Sequence, residues 1–300
     1  MQGARNSANQ HPKALLDCAR SPFRMPPKPS VPTATASVRI GVFDSGVGGL
    51  SVLRELREQL PHATLHYVAD SGHAPYGERS DGHVIARSRR VASHLNQCGA
   101  QVIVIACNTA TAVAGRLLRE TWPRTPIIGV EPGIKPALAA TRNGRIGVMA
   151  TRATLNSAKF RRLTATLAEG KPLHLRACDG LAAAIEQGFL DGPRVLAMIE
   201  RHCALLREAD VDTVVLGCTH YAFVRHHIQT ALGATVHIID TAAAVARHTA
   251  RTVGLFQPTG HTSAGHAPSL TLQTTGDVVH MQRIAKAWLG IQCAVSSVAE

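Results

Sequence analysis

From residue 38 onward the chain alternates short apolar runs with amphipathic stretches, and this alternation restricts the fold more than any other feature. In the segment 49–60, "GLSVLRELREQL", apolar residues recur every three or four positions, as on one face of a helix. Strands that alternate with helices join into a parallel sheet through right-handed crossovers. We therefore predict an α/β fold with strands at 38–43, 65–69, 102–106, 127–130, 145–149, 173–177, 213–216 and 236–239.

The two halves of this pattern resemble each other. "VRIGVFDSG" (38–46) matches "GRIGVMATR" (144–152), "VIVIACNTAT" (102–111) matches "TVVLGCTHYA" (213–222), and "PIIGVEP" (126–132) matches "HIIDTAA" (237–243). Three matches in the same order and at nearly constant spacing indicate a duplicated structural unit. We expect two similar Rossmann-like domains, each a mainly parallel sheet flanked by helices, that face each other around a pseudo-two-fold axis.

Two cysteines occupy equivalent places in the two units. Cys107 and Cys218 each follow an apolar run directly. Ligands of open α/β sheets bind at the carboxyl ends of the strands, so both thiols are expected in one cleft. Each cysteine precedes residues that suit a helix start, where backbone N–H groups lower the pKa of a thiol and attract carboxylates. Either cysteine taken alone could equally be a small buried apolar residue.

Two thiols in matching motifs suit proton transfer at both faces of one carbon. One removes a proton and the other donates one from behind, which inverts the centre. His220, next but one to Cys218, suits a general acid–base role. No cofactor motif offers another route, because "DSGVGGLS" (44–51) lacks the third Gly of a dinucleotide-binding loop and the Lys of a P-loop. This glycine-rich segment can present N–H groups to a carboxylate or serve only as a tight turn.

Composition excludes several other classes of protein. The net charge of +12 is spread along the chain without a basic block, so it gives little support to nucleic-acid binding. The seven cysteines include no CxxC pair, which disfavours both a disulfide framework and a four-ligand zinc site and favours a reducing compartment such as the cytoplasm. No uncharged apolar run approaches the ~18 residues of a membrane span. We expect no cofactor, no metal and no membrane partner.

The first 37 residues differ from the rest of the chain. They are rich in Pro, Ser, Thr and Ala, have no apolar period, and carry more basic than acidic residues. We predict a disordered basic extension at 1–37. It has no apolar core like that of a secretory signal, although a transit peptide is an alternative. Met25 is an alternative start of translation.

Several motifs resemble those of the glutamate racemases, in the cofactor-independent aspartate/glutamate racemase superfamily. In chain order they are "IGVFDSGVGGLSV", "YVADSGHAPYGERS", "VIACNTATA", "GVMATRATLNS", "AAIEQG", "VVLGCTHY" and "TTGD". The resemblance implies interconversion of L- and D-glutamate, with D-glutamate supplied to peptidoglycan. It also implies a first domain of 38–133 plus 241–300 and a second of 134–240, with the active site between them. We expect the substrate to be glutamate and the enzyme to be a cytoplasmic homodimer.

The resemblance also implies roles for individual residues. Cys107 and Cys218 match the two catalytic bases, the first acting on the D-isomer and the second on the L-isomer. Asp44 matches the residue that assists Cys107, and His220 with Glu186 matches the pair that assists Cys218. The positions that match substrate-binding residues are Ser45, Tyr76, Gly77, Asn108, Thr109, Thr151, Thr154 and Thr219.

Alternatives remain for these residues and for the function. Asp44 could be a helix cap, Glu186 an exposed helix charge, His220 a structural hydrogen-bonding group, and Tyr76 a turn residue. The chain could also be a racemase for aspartate or another amino acid in the same superfamily, or a non-catalytic protein that binds an amino acid in the same cleft.

Overall fold

The computed structural model describes residues 37–168, 171–255 and 269–298. The predicted extension, with Met25, lies outside the described residues except for Ser37. The strands are Arg39–Asp44 (β1), Thr64–Ala69 (β2), Val102–Ile105 (β3), Ile127–Gly129 (β4), Ile146–Ala150 (β5), Leu173–Ala177 (β6), Thr213–Gly217 (β7), His237–Ile239 (β8), Leu270–Thr274 (β9) and Val295–Ser297 (β10).

Helices connect the strands throughout. They are Leu50–Gln59 (α1), Asp81–Gln97 (α2), Asn108–Val113 (α3), Gly115–Thr121 (α4), Ile134–Ala140 (α5), Arg152–Asn156 (α6), Ala158–Leu167 (α7), Leu181–Glu186 (α8), Pro193–Glu208 (α9), Arg225–Leu232 (α10), Ala242–Leu255 (α11) and Val278–Leu289 (α12). Short 3₁₀ turns lie at Ser71–His73, Tyr76–Glu78 and Thr219–Val224.

The strands form two parallel sheets with a common plan. The first sheet has the order β10-β9-β2-β1-β3-β4, and the second has the order β6-β5-β7-β8. Within the first sheet, the strands β2-β1-β3-β4 follow one another in the same relative order as the four strands of the second sheet, as the internal sequence matches predict. The predicted fold class, two similar and mainly parallel sheets flanked by helices, is confirmed.

All eight predicted strands are present, with ends that differ from the prediction by at most one residue. The structure adds β9 and β10, which sequence patterning did not identify. β9 pairs with β2, so the segment after α11 extends the first sheet. The domain boundaries at 133/134 and 240/241 stay a prediction.

Helices cover both faces of the first sheet because its buried strands alternate their side chains between two apolar clusters. Val42 and Val104 pack with α1, α11 and α12 on one face. Phe43 and Ile103 pack with α2, α3 and α4 on the other. The loops that begin at the carboxyl ends of the strands carry the polar residues described below.

Two further findings concern the described residues. Six cysteines are free thiols: Cys98, Cys107, Cys178, Cys203, Cys218 and Cys293. No helix in the described ranges is both long enough and apolar enough to cross a membrane.

A carboxylate anchors the start of the second sheet. Asp212, just before β7, accepts hydrogen bonds from the backbone N–H groups of Arg142 and Asn143 at 2.6 and 2.8 Å. The hydroxyls of Thr141 and Thr213 donate to its other oxygen at 2.6 and 3.0 Å. Burial raises the pKa of Asp212, but these four hydrogen bonds outweigh it and lower the pKa to about 2. The charged carboxylate therefore holds the loop from α5 to β5 against β7.

We expect Asp212→Asn to lower the free energy of unfolding at pH 7 by about 1 kcal/mol, since the amide cannot accept all four bonds and the site is partly open to solvent. The folded-state pKa lies below that of an unfolded Asp, about 3.9. The stabilisation is therefore complete above that value and is lost as pH falls towards 2. Urea unfolding at pH 7 and pH 3 measures the difference.

Asp210→Asn is the matched control, because its carboxylate is 76% exposed in its ion pair with Arg145. Equal effects of the two substitutions would contradict the anchoring role.

Candidate active site

A narrow pocket lies where the carboxyl ends of strands from both sheets approach each other. Cys107, after β3, and Cys218, after β7, both line it. The other predicted site residues on its wall are Ser45, Tyr76, Gly77, Asn108, Thr109, Thr151, Thr219 and His220. Pro75, Ala182 and Gly217 complete the lining and were not predicted from the sequence. The structure thus brings the two cysteines to the wall of one pocket, together with polar side chains of the kind that orient a small molecule.

Cys107 lies in a buried environment close to the negative charge of Asp44. Its side chain is buried, with Sγ 3.4 Å from the donating N–H of Ala110 and 3.8 Å from Ser45 Oγ. Burial raises the pKa of the Cys107 thiol well above its usual range, and the nearby charge of Asp44 raises it further. The Ala110 N–H opposes this shift but does not cancel it. The predicted lowering of this pKa by the helix start is therefore wrong, because desolvation exceeds the effect of one N–H group.

Cys218 belongs to a chain of acid–base groups. Its Sγ is 3.8 Å from His220 Nδ1, and His220 Nε2 is 2.6 Å from Glu186 Oε2. Burial alone would lower the pKa of His220, but its hydrogen bonds to Cys218 and Glu186, and their negative charge, raise it well above the usual value. His220 is therefore held between a sulfur and a carboxylate, and this environment favours its protonated form.

Glu186 links the two halves of the molecule. It ends α8, yet its carboxylate accepts the N–H of Val47 at 2.9 Å and the hydroxyl of Ser71 at 2.8 Å, both from the first sheet's loops. Burial would raise the pKa of Glu186, but the hydrogen bond and charge of His220, with these two donors, lower it. Only 8% of the residue is exposed, which rules out the alternative of an exposed helix charge.

The glycine-rich turn after β1 explains how the carboxylate of Glu186 can lie so close to the backbone of that turn. A Cβ at Gly46 would overlap both carboxylate oxygens of Glu186, and a Cβ at Gly48 would overlap the ring of His220. Both positions therefore require glycine, because the backbone of the first unit touches the acid–base pair of the second.

Asp44 lies behind the pocket wall and is fully buried. One oxygen accepts the N–H groups of Gly46 and Gly49 at 3.2 and 3.0 Å, and the other accepts the hydroxyl of Thr219 at 3.3 Å. Burial raises the pKa of Asp44, and the negative charge of Glu186 adds to that rise. Asp44 thus shapes the turn and contacts the pocket through Thr219, but it is not the helix cap of the alternative interpretation, because α1 has Gly49 as its N-cap and no side-chain cap.

A cluster of hydroxyls joins the two units on the other side of the pocket. Thr109 Oγ1 lies 3.0 Å from Thr151 Oγ1 and 3.3 Å from Thr154 Oγ1. Thr151 also donates to Thr154 at 2.9 Å, so Thr154 supports the wall without lining it. These contacts hold α3 of the first unit against α6 of the second.

Tyr76 lines the pocket, but its hydroxyl points into a buried network. It donates to Asp70 at 2.5 Å, and Arg87 and Thr275 donate to the same carboxylate. Burial would raise the pKa of Asp70, but the hydrogen bonds from Arg87, Tyr76 and Thr275 lower it. This network fixes the 3₁₀ turn at Tyr76–Glu78 and brings Gly77 against Thr151.

Asp70, Ser71, Arg87 and Thr275 were not singled out from the sequence. A signal for the first two exists, because "DSG" occurs at 44–46 after β1 and again at 70–72 after β2. Adjacent parallel strands end at one edge of the sheet, so the two copies should lie together, and Asp70 N donates to Asp44 O at 3.0 Å. No local pattern points to Arg87 in the middle of α2.

The chain is similar to known proteins in both sequence and structure. The model of the Asp/Glu/Hydantoin racemase family matches residues 40–249. A glutamate racemase of Pseudomonas aeruginosa is 49% identical over 218 residues, which are 73% of this chain and 82% of that protein.

Solved structures show the same likeness. A glutamate racemase isoform from Bacillus anthracis superposes with a TM-score of 0.77 at 34% identity, covering 89% of this chain and 98% of the other. Glutamate racemase from Francisella tularensis, in complex with D-glutamate, gives 0.75 at 25% identity, with 88% and 98% covered.

Proposed function

Because the chain belongs to the Asp/Glu/Hydantoin racemase family, we propose that it interconverts L- and D-glutamate without a cofactor, with Cys107 and Cys218 as its two bases. The observation that carries the proposal is the position of both thiols in one pocket, at equivalent strand ends of the two sheets. The names of its relatives favour glutamate as the substrate. A neighbour of the same fold holds D-glutamate.

The pKa shifts of Cys107 on one side of the pocket and of His220 on the other support the direction of each proton transfer. The imidazolium of His220 is placed to stabilise a thiolate at Cys218, while the raised pKa of Cys107 keeps that group a thiol. Cys218 then takes the α-proton of L-glutamate, and the electron pair stays on the α-carbon. Cys107 donates its own proton to the opposite face, which gives D-glutamate. The reverse reaction starts from a Cys107 thiolate and a Cys218 thiol.

The pocket wall suits an amino acid with a charged head group. Among the described residues that line it, none is Lys or Arg, so apart from His220 its anion-binding groups are neutral hydroxyls, amides and backbone N–H groups. Asn108 Oδ1 is buried and has no hydrogen-bond partner within the described ranges. We assign it to the α-ammonium of the substrate, because an unpaired buried acceptor costs stability unless a ligand satisfies it. Ser45, Thr109 and Thr219 then hold the carboxylates.

We propose the biological role, the location and the oligomeric state of the enzyme from its membership of the same family. D-glutamate made in this way would supply peptidoglycan synthesis in the cytoplasm, and we propose a homodimer as the working enzyme. Aspartate racemisation is the nearest rival function, since the same two thiols would act on any α-amino acid of suitable length.

Purified protein incubated with each isomer of glutamate and of aspartate, without added cofactor and with a chelator present, tests this function. Chiral chromatography should show either glutamate isomer converting to an equal mixture, because the two enantiomers have the same free energy. Turnover of aspartate alone would assign the protein to the rival function. No turnover of any of the four would refute racemisation and leave a binding protein.

We expect Gly48→Ala to lower kcat by about 100-fold, since the new methyl group displaces the His220 ring and lies 2.7 Å from Thr219 Oγ1. Gly82→Ala is the matched control, because a Cβ there meets nothing within 4 Å. Steady-state kinetics with L-glutamate compare the two variants. Equal activity of both would show that close contact with the glycine-rich turn does not position His220.

A further inference from the structure

We propose that His66, His94 and Cys98 form a zinc site, separate from the racemase chemistry. Their three donor atoms lie within 4.8 Å of one another. The two histidines are partly buried, and Cys98 is exposed, so a metal ion can reach the cluster from solvent. None of the three is among the residues that line the pocket.

The fold places these residues on one side of the first sheet. His66 lies on β2, His94 lies in the last turn of α2, and Cys98 caps the end of that helix. His94 and Cys98 are four positions apart, so their side chains share one face of the helix. The rings of His66 and His94 meet edge to face with their centroids 5.7 Å apart. The sheet and the helix thus present their donors to each other.

The two imidazoles point at a single spot. His66 Nε2 and His94 Nε2 lie 2.6 and 2.7 Å from the same atom, Gln273 Oε1 on β9. Cys98 Sγ lies 3.8 Å from His94 Nε2. With zinc bonds of about 2.0–2.1 Å to nitrogen and about 2.3 Å to sulfur, tetrahedral ligand atoms stand roughly 3.3–3.6 Å apart. Small rotations of these side chains would therefore reach the geometry of a zinc site.

The donor set selects a borderline-soft metal. Two imidazole nitrogens and a thiolate suit zinc, whereas magnesium and calcium require carboxylate or carbonyl oxygens. On binding, each neutral imidazole carries its proton on Nδ1 and offers Nε2, and the Cys98 thiol releases its proton to solvent. The amide oxygen of Gln273, or a water, completes the four ligands. The metal would then tie β2 to α2 and, through Gln273, to β9.

A second group of possible ligands serves as an internal comparison. Asp191, His226 and His227 also bring their donor atoms within 4.8 Å. This group has no thiol, its carboxylate is 82% exposed, and the rings of the two neighbouring histidines pack against each other at 3.7 Å. We assign no metal to it.

Cobalt(II) titration of the full-length protein, stripped of metal by dialysis against a chelator, tests the zinc site directly. One equivalent should give the near-ultraviolet charge-transfer band of a cobalt–thiolate bond, and added zinc should remove it. Cys98→Ser should abolish the band, and His94→Ala should weaken cobalt affinity by at least about 100-fold. Zinc should raise the thermal unfolding midpoint of the wild type but not that of Cys98→Ser, whose replaced side chain is exposed.

Three controls make the assignment specific. The band should survive in Cys107→Ala, in Cys218→Ala and in His227→Ala, which alter the pocket or the second cluster. A wild type without the band, or a Cys98→Ser variant with the same band and affinity, would overturn the proposal. Neither result depends on racemase activity, so failure of the zinc site and failure of the proposed function are distinguishable.

Discussion

Cys107→Ala and Cys218→Ala should each lower the rate of glutamate racemisation by about 10⁴-fold, the upper range for the loss of a positioned acid–base group. Each variant removes the group that acts at one face of the α-carbon, and no other titratable side chain on the pocket wall replaces Cys107. His220 lies 3.8 Å from Cys218, so we expect a small residual rate only in Cys218→Ala. Chiral chromatography of both reaction directions measures these losses.

Cys203→Ala is the matched control for both variants. Cys203 is completely buried in the apolar cluster of the second sheet and does not line the pocket. The substitution should destabilise the protein by creating a small cavity but leave kcat within about twofold, since it touches no polar group of the site. Full activity in either pocket variant, with the fold intact by circular dichroism, would contradict the two-base scheme.

Glu186→Gln should lower kcat/KM for L-glutamate by about 100- to 1,000-fold, because it removes the Glu186 charge, one of the causes that raise the pKa of His220 and favour its protonated form. In the wild type the hydrogen bonds and negative charge of Cys218 and Glu186 raise the pKa of His220 well above its usual value. Without the Glu186 charge that pKa falls, so the alkaline limb of the pH profile should move to lower pH. The pH dependence of kcat/KM in the L-to-D direction measures the shift.

Glu120→Gln makes the same chemical change outside the site. Glu120 pairs with Arg116 on the surface of α4, with 55% of its side chain exposed, so both rate and profile should match the wild type. An unchanged alkaline limb in Glu186→Gln would show that this carboxylate does not set the charge of His220.

Most of the eight predicted strands were recognisable because buried parallel strands are near-continuous apolar runs, as in "VIVI" at 102–105. β9, "LTLQT", and β10, "VSS", have no such run. They form because β9 pairs with the edge of β2 and β10 pairs with β9, and sequence patterning cannot show which edge a distant segment will cover.

The residues of the candidate site likewise divide into those that the sequence could place and those that depend on tertiary packing. Residues directly after strands, such as Cys107 and Cys218, could be placed at one sheet edge from topology alone. The contact of Glu186 with Val47 joins positions 139 residues apart, and it depends on how the two units pack. The pKa of Cys107 was predicted with the wrong sign, because burial at the junction between units is a tertiary effect. The His66, His94 and Cys98 cluster is likewise assembled by packing and has no spacing motif.

The fate of the α-hydrogen in deuterium oxide tests the two-base scheme most directly. L-glutamate is converted to a few per cent of D-glutamate, and both isomers are then separated and analysed by mass spectrometry. If Cys218 removes the proton and Cys107 delivers another from the opposite face, the D-glutamate carries deuterium while the unreacted L-glutamate keeps its protium. D-glutamate that retains the original hydrogen, or L-glutamate that gains deuterium as fast as D-glutamate forms, would contradict two bases on opposite faces.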